Sequence, residues 1–315
     1  WKFTTAATLL NITGNTTLYS SVPGQCRLGL MVNGVDYAPY LSFTANGSKT
    51  FNCYLAEGTK TIEITTGGQS EPSGTILGSF VDSIQMIGND FDPAYTLIPP
   101  SAEKKLLVYG DSISSGFESS AVERNGYVPR LRNLFTRNVH LEGHGFRTLN
   151  DDCATSGART TFAARLAGYD PKYIWLAIGT NDYGLNAWSA ASFGTAYADL
   201  LDKLNAALPG VRIYCQTPLQ RISPSGETAN GSGNTLTDYR TQIATAVSTR
   251  TAYCTLVDGA AGALIPDSAI FTDGLHVSTN GHIIYAEAIR RKVYGATIGS
   301  TGATVITGSG ATKIP

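Results

Sequence analysis

Three short segments of this 315-residue chain combine residue types that chemistry can use. Gly110-Asp111-Ser112-Ile113-Ser114-Ser115-Gly116 offers a serine hydroxyl, and Gly179-Thr180-Asn181-Asp182 offers a side-chain amide. Asp273-Gly274-Leu275-His276 sets a carboxylate three residues before an imidazole. A serine hydroxyl is a weak nucleophile until a neighbouring base takes its proton, and imidazole suits that task near neutral pH. A carboxylate on the same loop can hold the imidazole in the tautomer that leaves its other nitrogen free to face the serine. An amide donor can stabilise the oxygen on which negative charge grows. Each segment also has a plainer explanation. Gly and Asp are common turn residues, Asn and Asp often cap helices, and a lone D-x-x-H is more often a structural loop. Chemistry requires that the fold bring all three to one place.

The surrounding pattern predicts such a fold. Apolar strands are expected at Lys105 to Tyr109, Val139 to Glu142, Tyr173 to Gly179, Val211 to Pro218 and Cys254 to Asp258. Helices are expected between them, at Tyr127 to Arg137, Thr160 to Leu166, Ser189 to Leu208, Leu236 to Thr249 and Asn280 to Val293. Phe193, Tyr197, Leu200, Leu201, Leu204 and Leu208 recur at helical spacing and share one face. Strands alternating with helices imply a parallel sheet covered on both sides, whose ligands bind beyond the carboxyl ends of the strands. Ser112 and Asn181 both follow such ends. The first 98 residues differ: short alternating stretches such as Arg27 to Val32, Thr50 to Leu55 and Thr61 to Ile64 are separated by turn signals including Asn33-Gly34 and Glu57-Gly58. They predict a β-sandwich over 1–98. Pro93, Pro99 and Pro100 interrupt the pattern, so 99–104 is expected to be a linker and 105–295 a second domain. The Gly-, Thr- and Ser-rich stretch 296–315 could be a tail or a terminal strand.

Taken in order, the three segments resemble blocks of the SGNH hydrolases, also called GDSL esterases and lipases, over about residues 104–293. The resemblance implies a flavodoxin-like three-layer α/β/α domain, here preceded by a jelly-roll-like β-sandwich. It implies that Ser112 is the nucleophile, His276 the general base and Asp273 its orienting acid. The backbone N–H groups of Ser112 and Gly157 and the side chain of Asn181 would then form the oxyanion hole. Gly157 comes from matching Ala154 to Thr160 with the family's glycine block, although Gly143 and Gly145 lie a dozen residues earlier. Val277 stands where many members have proline. Asp111 and Asp182 are expected to orient loops, and Phe117, Tyr183 and Trp188 could line the substrate site. No cofactor and no metal is implied. A β-sandwich ahead of such a domain is similar to carbohydrate esterases that deacetylate polysaccharides and to some phage tail proteins. A secreted or virion-exposed O-acetylesterase acting on an acetylated polysaccharide or glycan is therefore expected. The alternatives are a lipase or lysophospholipase taking longer acyl chains, and an inactive glycan-binding module.

Composition narrows the partners. The 23 basic and 24 acidic residues leave a net charge of -1, too little for non-specific nucleic-acid binding or a polybasic membrane patch. No apolar run approaches the ~18 residues of a membrane span, and the first residues lack the layout of a signal peptide. His140, Glu142 and His144 do not have the H-E-x-x-H order of a zinc helix. The five cysteines form no C-x-x-C pair; Cys26 and Cys53 could pair in an exported protein, whereas Cys215 and Cys254 read as buried thiols in strands. Asn11, Asn15, Asn46 and Asn230 sit in triplets that match glycosylation acceptors and also arise by chance in Thr-rich sequence.

Overall fold

The computed structural model describes residues 2–16, 27–37, 41–42, 47–66, 68–70, 76–87, 95–97, 101–117, 126–135, 137–143, 145–222, 227–260, 264–265 and 273–295. Ten strands precede residue 98: β1 (Lys2–Thr5), β2 (Leu9–Thr16), β3 (Arg27–Val32), β4 (Val35–Asp36), β5 (Leu41–Ser42), β6 (Gly47–Tyr54), β7 (Lys60–Thr66), β8 (Gly68–Ser70), β9 (Ile76–Ile87) and β10 (Tyr95–Leu97). Their antiparallel ladders make two sheets, β10-β1-β7-β3-β4 with β5 beside β3, and β6-β2-β9-β8. The period-2 alternation turns one face of β1, β2, β3, β6 and β7 inward. Phe3, Leu28, Leu30, Ile62 and Ile64 from the first sheet and Leu10, Ile12, Phe51 and Cys53 from the second join a single apolar cluster. Cys53 is a buried free thiol whose pKa burial raises to about 11. Cys26, its expected partner, lies outside the described residues, as does the stretch 296–315.

The second part contains β11 (Ser101–Gly110), α1 (Tyr127–Phe135), β12 (Arg137–Gly143), α2 (Leu149–Cys153), α3 (Ser156–Ala167), β13 (Tyr173–Ala177), α4 (Thr180–Gly184), α5 (Ala190–Ala207), β14 (Arg212–Gln216), α6 (Leu236–Ser248), β15 (Cys254–Val257) and α7 (Thr279–Tyr294). The five strands are parallel in the order β12-β11-β13-β14-β15. Strand order therefore reverses between β11 and β13, and the cleft at such a switch point is where open α/β sheets bind ligands.

Neighbouring residues of each strand serve opposite layers. Leu107, Tyr109, Ile174, Leu176, Ile213 and Cys215 pack with α2, α3, α5 and α6. Leu106, Val108, Trp175, Tyr214 and Val257 pack with α1 and α7. The helical face expected on α5 is buried at Phe193, Tyr197, Leu200, Leu201 and Leu204. Cys215 and Cys254 are buried free thiols within the same core. Among the described residues, no helix is long and apolar enough to cross a membrane.

Some elements depart from expectation. Ser101 pairs with Arg137, so 101–104 continue β11 where a linker was expected; a register shift before Leu106 accommodates the extension. The helix expected from Thr160 starts at Ser156, because the Thr155 hydroxyl accepts the Ala158 N–H and caps it there. The short helices α2 and α4 are additions. A Thr148–Asp151 capping box opens α2, and α4 follows β13 directly.

Candidate active site

Each of the three segments folds for a local reason. After β11 the chain turns at once: the Asp111 carboxylate accepts the Ile113 N–H at 3.0 Å and the Asp111 carbonyl accepts the Ser115 N–H at 3.0 Å. Ser112 is thereby held at the strand end, with its side chain mostly covered. In the third segment, Asp273 Oδ1 accepts the N–H groups of Leu275 at 2.8 Å and His276 at 2.6 Å. Gly274 takes the left-handed φ of +80° that this tight loop demands and that a Cβ would resist. The second carboxylate oxygen, Oδ2, lies 2.7 Å from His276 Nδ1. The other face of the ring meets the first segment: Ser112 Oγ is 2.7 Å from His276 Nε2 across 164 residues of chain. Val277, beside the imidazole, is fully buried and anchors the loop in the core.

Asn181 enters from α4, and its amide nitrogen donates to the Arg147 carbonyl at 3.1 Å. Asp182 reaches sideways, both its oxygens accepting the Leu149 N–H at 3.0 and 3.1 Å. Asp111 and Asp182 thus contact backbone rather than the imidazole. Burial pushes each carboxyl up to about 7, against partial relief from their backbone hydrogen bonds. Asp273 goes the other way: burial raises it, but its hydrogen bonds from His276 and Leu275 prevail and hold it below the usual carboxylate value.

A small cleft of about 50 Å³ opens over these groups, lined by Ser112, Ser115, Phe117, Gly145, Phe146, Asn181, Leu275 and His276. Phe117, expected in the wall, packs its ring 4.4 Å from the His276 ring. Tyr183 and Trp188 do not line it. Tyr183 is 1% exposed in the sheet core with its hydroxyl donating to the Thr228 carbonyl at 2.6 Å, because α4 turns that face inward. Trp188 is half-buried against the same core, and its carbonyl accepts the Tyr239 hydroxyl.

Gly157, expected as an oxyanion donor, is not in the cleft wall. It lies exposed in the first turn of α3, since the Thr155 cap commits it to the helix. Gly145 occupies the wall instead, beside Phe146, which is 43% exposed and holds a φ of +58°. A bulky residue in the left-handed region is a strained conformation that recurs at functional sites. The two glycines flanking His144 were the only sequence signal for this wall.

His140 Nε2 is 3.7 Å from Glu142 and the imidazole stacks on Tyr169 at 3.8 Å between ring centroids, while His144 lies outside the described residues. Among the described residues, no cluster of three or more His, Cys, Asp or Glu side chains could hold a metal ion. The Asn230 amide donates to the Tyr183 carbonyl and the Tyr239 hydroxyl, and its oxygen accepts the Ser232 and Asn234 N–H groups. That engagement leaves it poorly suited to carry a glycan.

No curated protein matches the chain. Solved structures with the same fold include a salicylyl-acyltransferase, SsfX3, from a tetracycline biosynthetic pathway, at a TM-score of 0.69 and 16% identity over 93% of this chain and 82% of that one. A family two carbohydrate esterase from Clostridium thermocellum in complex with cellohexaose gives 0.65 and 18% identity, covering 93% and 90%. The acetyl xylan esterase Est2A from Butyrivibrio proteoclasticus gives 0.66 and 14% identity, covering 93% and 89%. The model of the GDSL-like lipase/acylhydrolase family matches residues 108–284, a span that contains Ser112, Asn181, Asp273 and His276. With more than half of its length matched, the chain belongs to the GDSL-like lipase/acylhydrolase family.

Proposed function

We propose that this protein is a serine esterase that removes short acyl groups, acetyl foremost, from a carbohydrate through an acyl-enzyme. The observation that carries the proposal is the chain of contacts from Ser112 Oγ to His276 Nε2 to Asp273 Oδ2, each step 2.7 Å. Ser112 Oγ attacks the ester carbonyl as His276 Nε2 takes its proton, and Asp273 stabilises the imidazolium that forms. The tetrahedral oxyanion is received by the Ser112 backbone N–H, the Asn181 amide and the Gly145 segment of the wall, in place of Gly157. As the intermediate collapses, His276 protonates the departing sugar oxygen, which leaves as a hydroxyl. A water, deprotonated by the same imidazole, releases the acid and restores Ser112. Losing one oxyanion donor costs on the order of 10²- to 10³-fold in rate, so Asn181→Ala is expected to fall in that range.

A short acyl group is supported by the small size of the cleft, about 50 Å³, and by the Phe117 and Phe146 side chains in its wall. A carbohydrate is supported by the fold shared across both parts of the chain with family two carbohydrate esterases. We read the two N-terminal sheets as a β-sandwich accessory module, and the protein as acting outside the cell, where such polymers are met. The test is acetate release from acetylated polysaccharides alongside a series of aryl esters of rising acyl length, with Ser112→Ala as control. Fast acetate release, a steep decline with chain length and an inert but folded Ser112→Ala support the proposal. Better turnover of long chains would make the protein a lipase or lysophospholipase, and no turnover of any ester would make it a binding module.

A further inference from the structure

Arg147 plays no part in the chemistry above, yet it is 5% exposed and sits between the cleft wall and the Asn181 amide. Its backbone carbonyl accepts the Asn181 amide. Its guanidinium grips Asp152 with two parallel hydrogen bonds, Nε to Oδ2 at 2.7 Å and Nη2 to Oδ1 at 3.1 Å, and lies 5.0 Å over the Tyr109 ring. Asp152 is itself fixed by the Tyr109 hydroxyl at 3.1 Å, on the strand that delivers Ser112, and by Arg165 at 3.2 Å. Arg165 continues to Glu142 at 3.0 Å, at the end of β12. On the next residues of the same segment, the Leu149 N–H is tied to Asp182.

We infer that the Arg147–Asp152 clasp is a positioning device that sets the Gly145–Phe146 wall and aims the Asn181 amide. Fork-to-carboxylate pairing fixes both distance and angle, so it defines where the Arg147 carbonyl stands; a single flexible contact would not. The clasp spans β11, β12, α2 and α3, and it meets α4 through one carbonyl. It also holds the segment in which Phe146 keeps its left-handed backbone. A donor displaced by even 1 Å from the developing oxyanion loses most of its value, a misplacement that can cost on the order of 10²-fold in rate. This inference rests on the assignment of Asn181 as an oxyanion donor.

Arg147→Lys and Asp152→Asn, each alone and combined with Asn181→Ala, test it on a short aryl ester, with rates normalised to active sites titrated by an organophosphonate that labels Ser112. The expected result is a kcat reduced about 10- to 100-fold with KM nearly unchanged, and a loss of only a few-fold when Asn181 is already alanine. If Asp152→Asn does not fold, Arg147→Lys carries the same comparison, since lysine keeps the charge and loses the fork. Full multiplicative losses in the Asn181→Ala background, or an unchanged kcat with a lowered Tm, would overturn the clasp and leave the donor assignment standing. An Asn181→Ala enzyme as fast as the parent would overturn the donor assignment, and the clasp with it.

Discussion

Replacing Asp273 by asparagine is expected to separate the loop-building role of this side chain from its role on the imidazole. Asn keeps the shape of Asp but turns one acceptor oxygen into a donor. Two backbone N–H groups converge on Oδ1, from Leu275 at 2.8 Å and His276 at 2.6 Å, whereas Oδ2 meets the ring nitrogen. The amide oxygen of Asn must therefore stay on the Oδ1 side, because the flipped amide would set its NH₂ against two N–H donors. The NH₂ then points at Nδ1, which can accept only if the ring proton moves to Nε2. That tautomer presents a proton to Ser112 Oγ and cannot take one. Restoring the productive tautomer sacrifices a hydrogen bond to a charged group, about 1.5–3 kcal/mol, and opposes two N–H donors 2.7 Å apart at a comparable cost. The sum, about 3–6 kcal/mol, corresponds to a loss of roughly 10²- to 10⁴-fold in kcat. Direct charge attraction adds little, since the Asp273 side chain is 40% exposed and water screens the pair. Initial rates on an acetyl aryl ester at neutral pH, with Tm measured in parallel, provide the assay. The expected outcome is that large drop in kcat with Tm within a few degrees of the parent, because the loop's own hydrogen bonds survive. A variant within tenfold of the parent would refute the tautomer argument and the assignment of Asp273 as orienting acid.

Three further perturbations follow from the same geometry. Phe146→Ala is expected to raise kcat/KM for butyryl and hexanoyl esters relative to acetyl by opening the cleft mouth; an unchanged acyl-length profile would remove Phe146 as a size filter. Gly143→Ala is expected to destabilise the fold by about 1–3 kcal/mol, since its Cβ would lie 2.7 Å from the Gly110 carbonyl oxygen at the paired ends of β12 and β11; unfolding in urea with an unaltered midpoint would contradict this. Asp182, raised to about 7 in the fold against about 3.9 unfolded, contributes stability that is fully present below pH ~3.9 and is lost as the pH rises through ~7. Asp182→Asn should flatten the fall in Tm between pH 4 and 7.5 relative to the parent, and identical slopes would show that this carboxyl titrates normally.

Much of the α/β part is legible in the chain because its signals are local. The period of α5, the five apolar strand runs and the turn residues after β11 and β13 each depend on neighbours a few positions away. Asp273-Gly274-Leu275-His276 is the strongest case, since one carboxylate, one left-handed glycine and a three-residue spacing suffice to build the loop. The glycine of the cleft wall is the counterexample. Ala154 to Thr160 has the better composition, but the Thr155 cap draws Gly157 into α3, and a segment with no periodicity, Gly145-Phe146, takes its place. Tyr183 fails as a wall residue for a related reason: α4 is only five residues long, and its packing on the core decides which side chains face the cleft.

Residue order alone therefore determined the loops that hold Ser112, Asn181, Asp273 and His276, because hydrogen-bonded loops and strand termini are built from sequence neighbours. Tertiary structure decided which surfaces surround those groups. Gly145 and Phe146 line the cleft, and the neighbouring Arg147 and Asp152 are held by contacts with β11, α3 and α4 that only the packed sheet creates. Ser112 and His276, 164 residues apart, meet for the same reason: strand order reverses between β11 and β13, and such a reversal opens a cleft at the carboxyl ends of the strands.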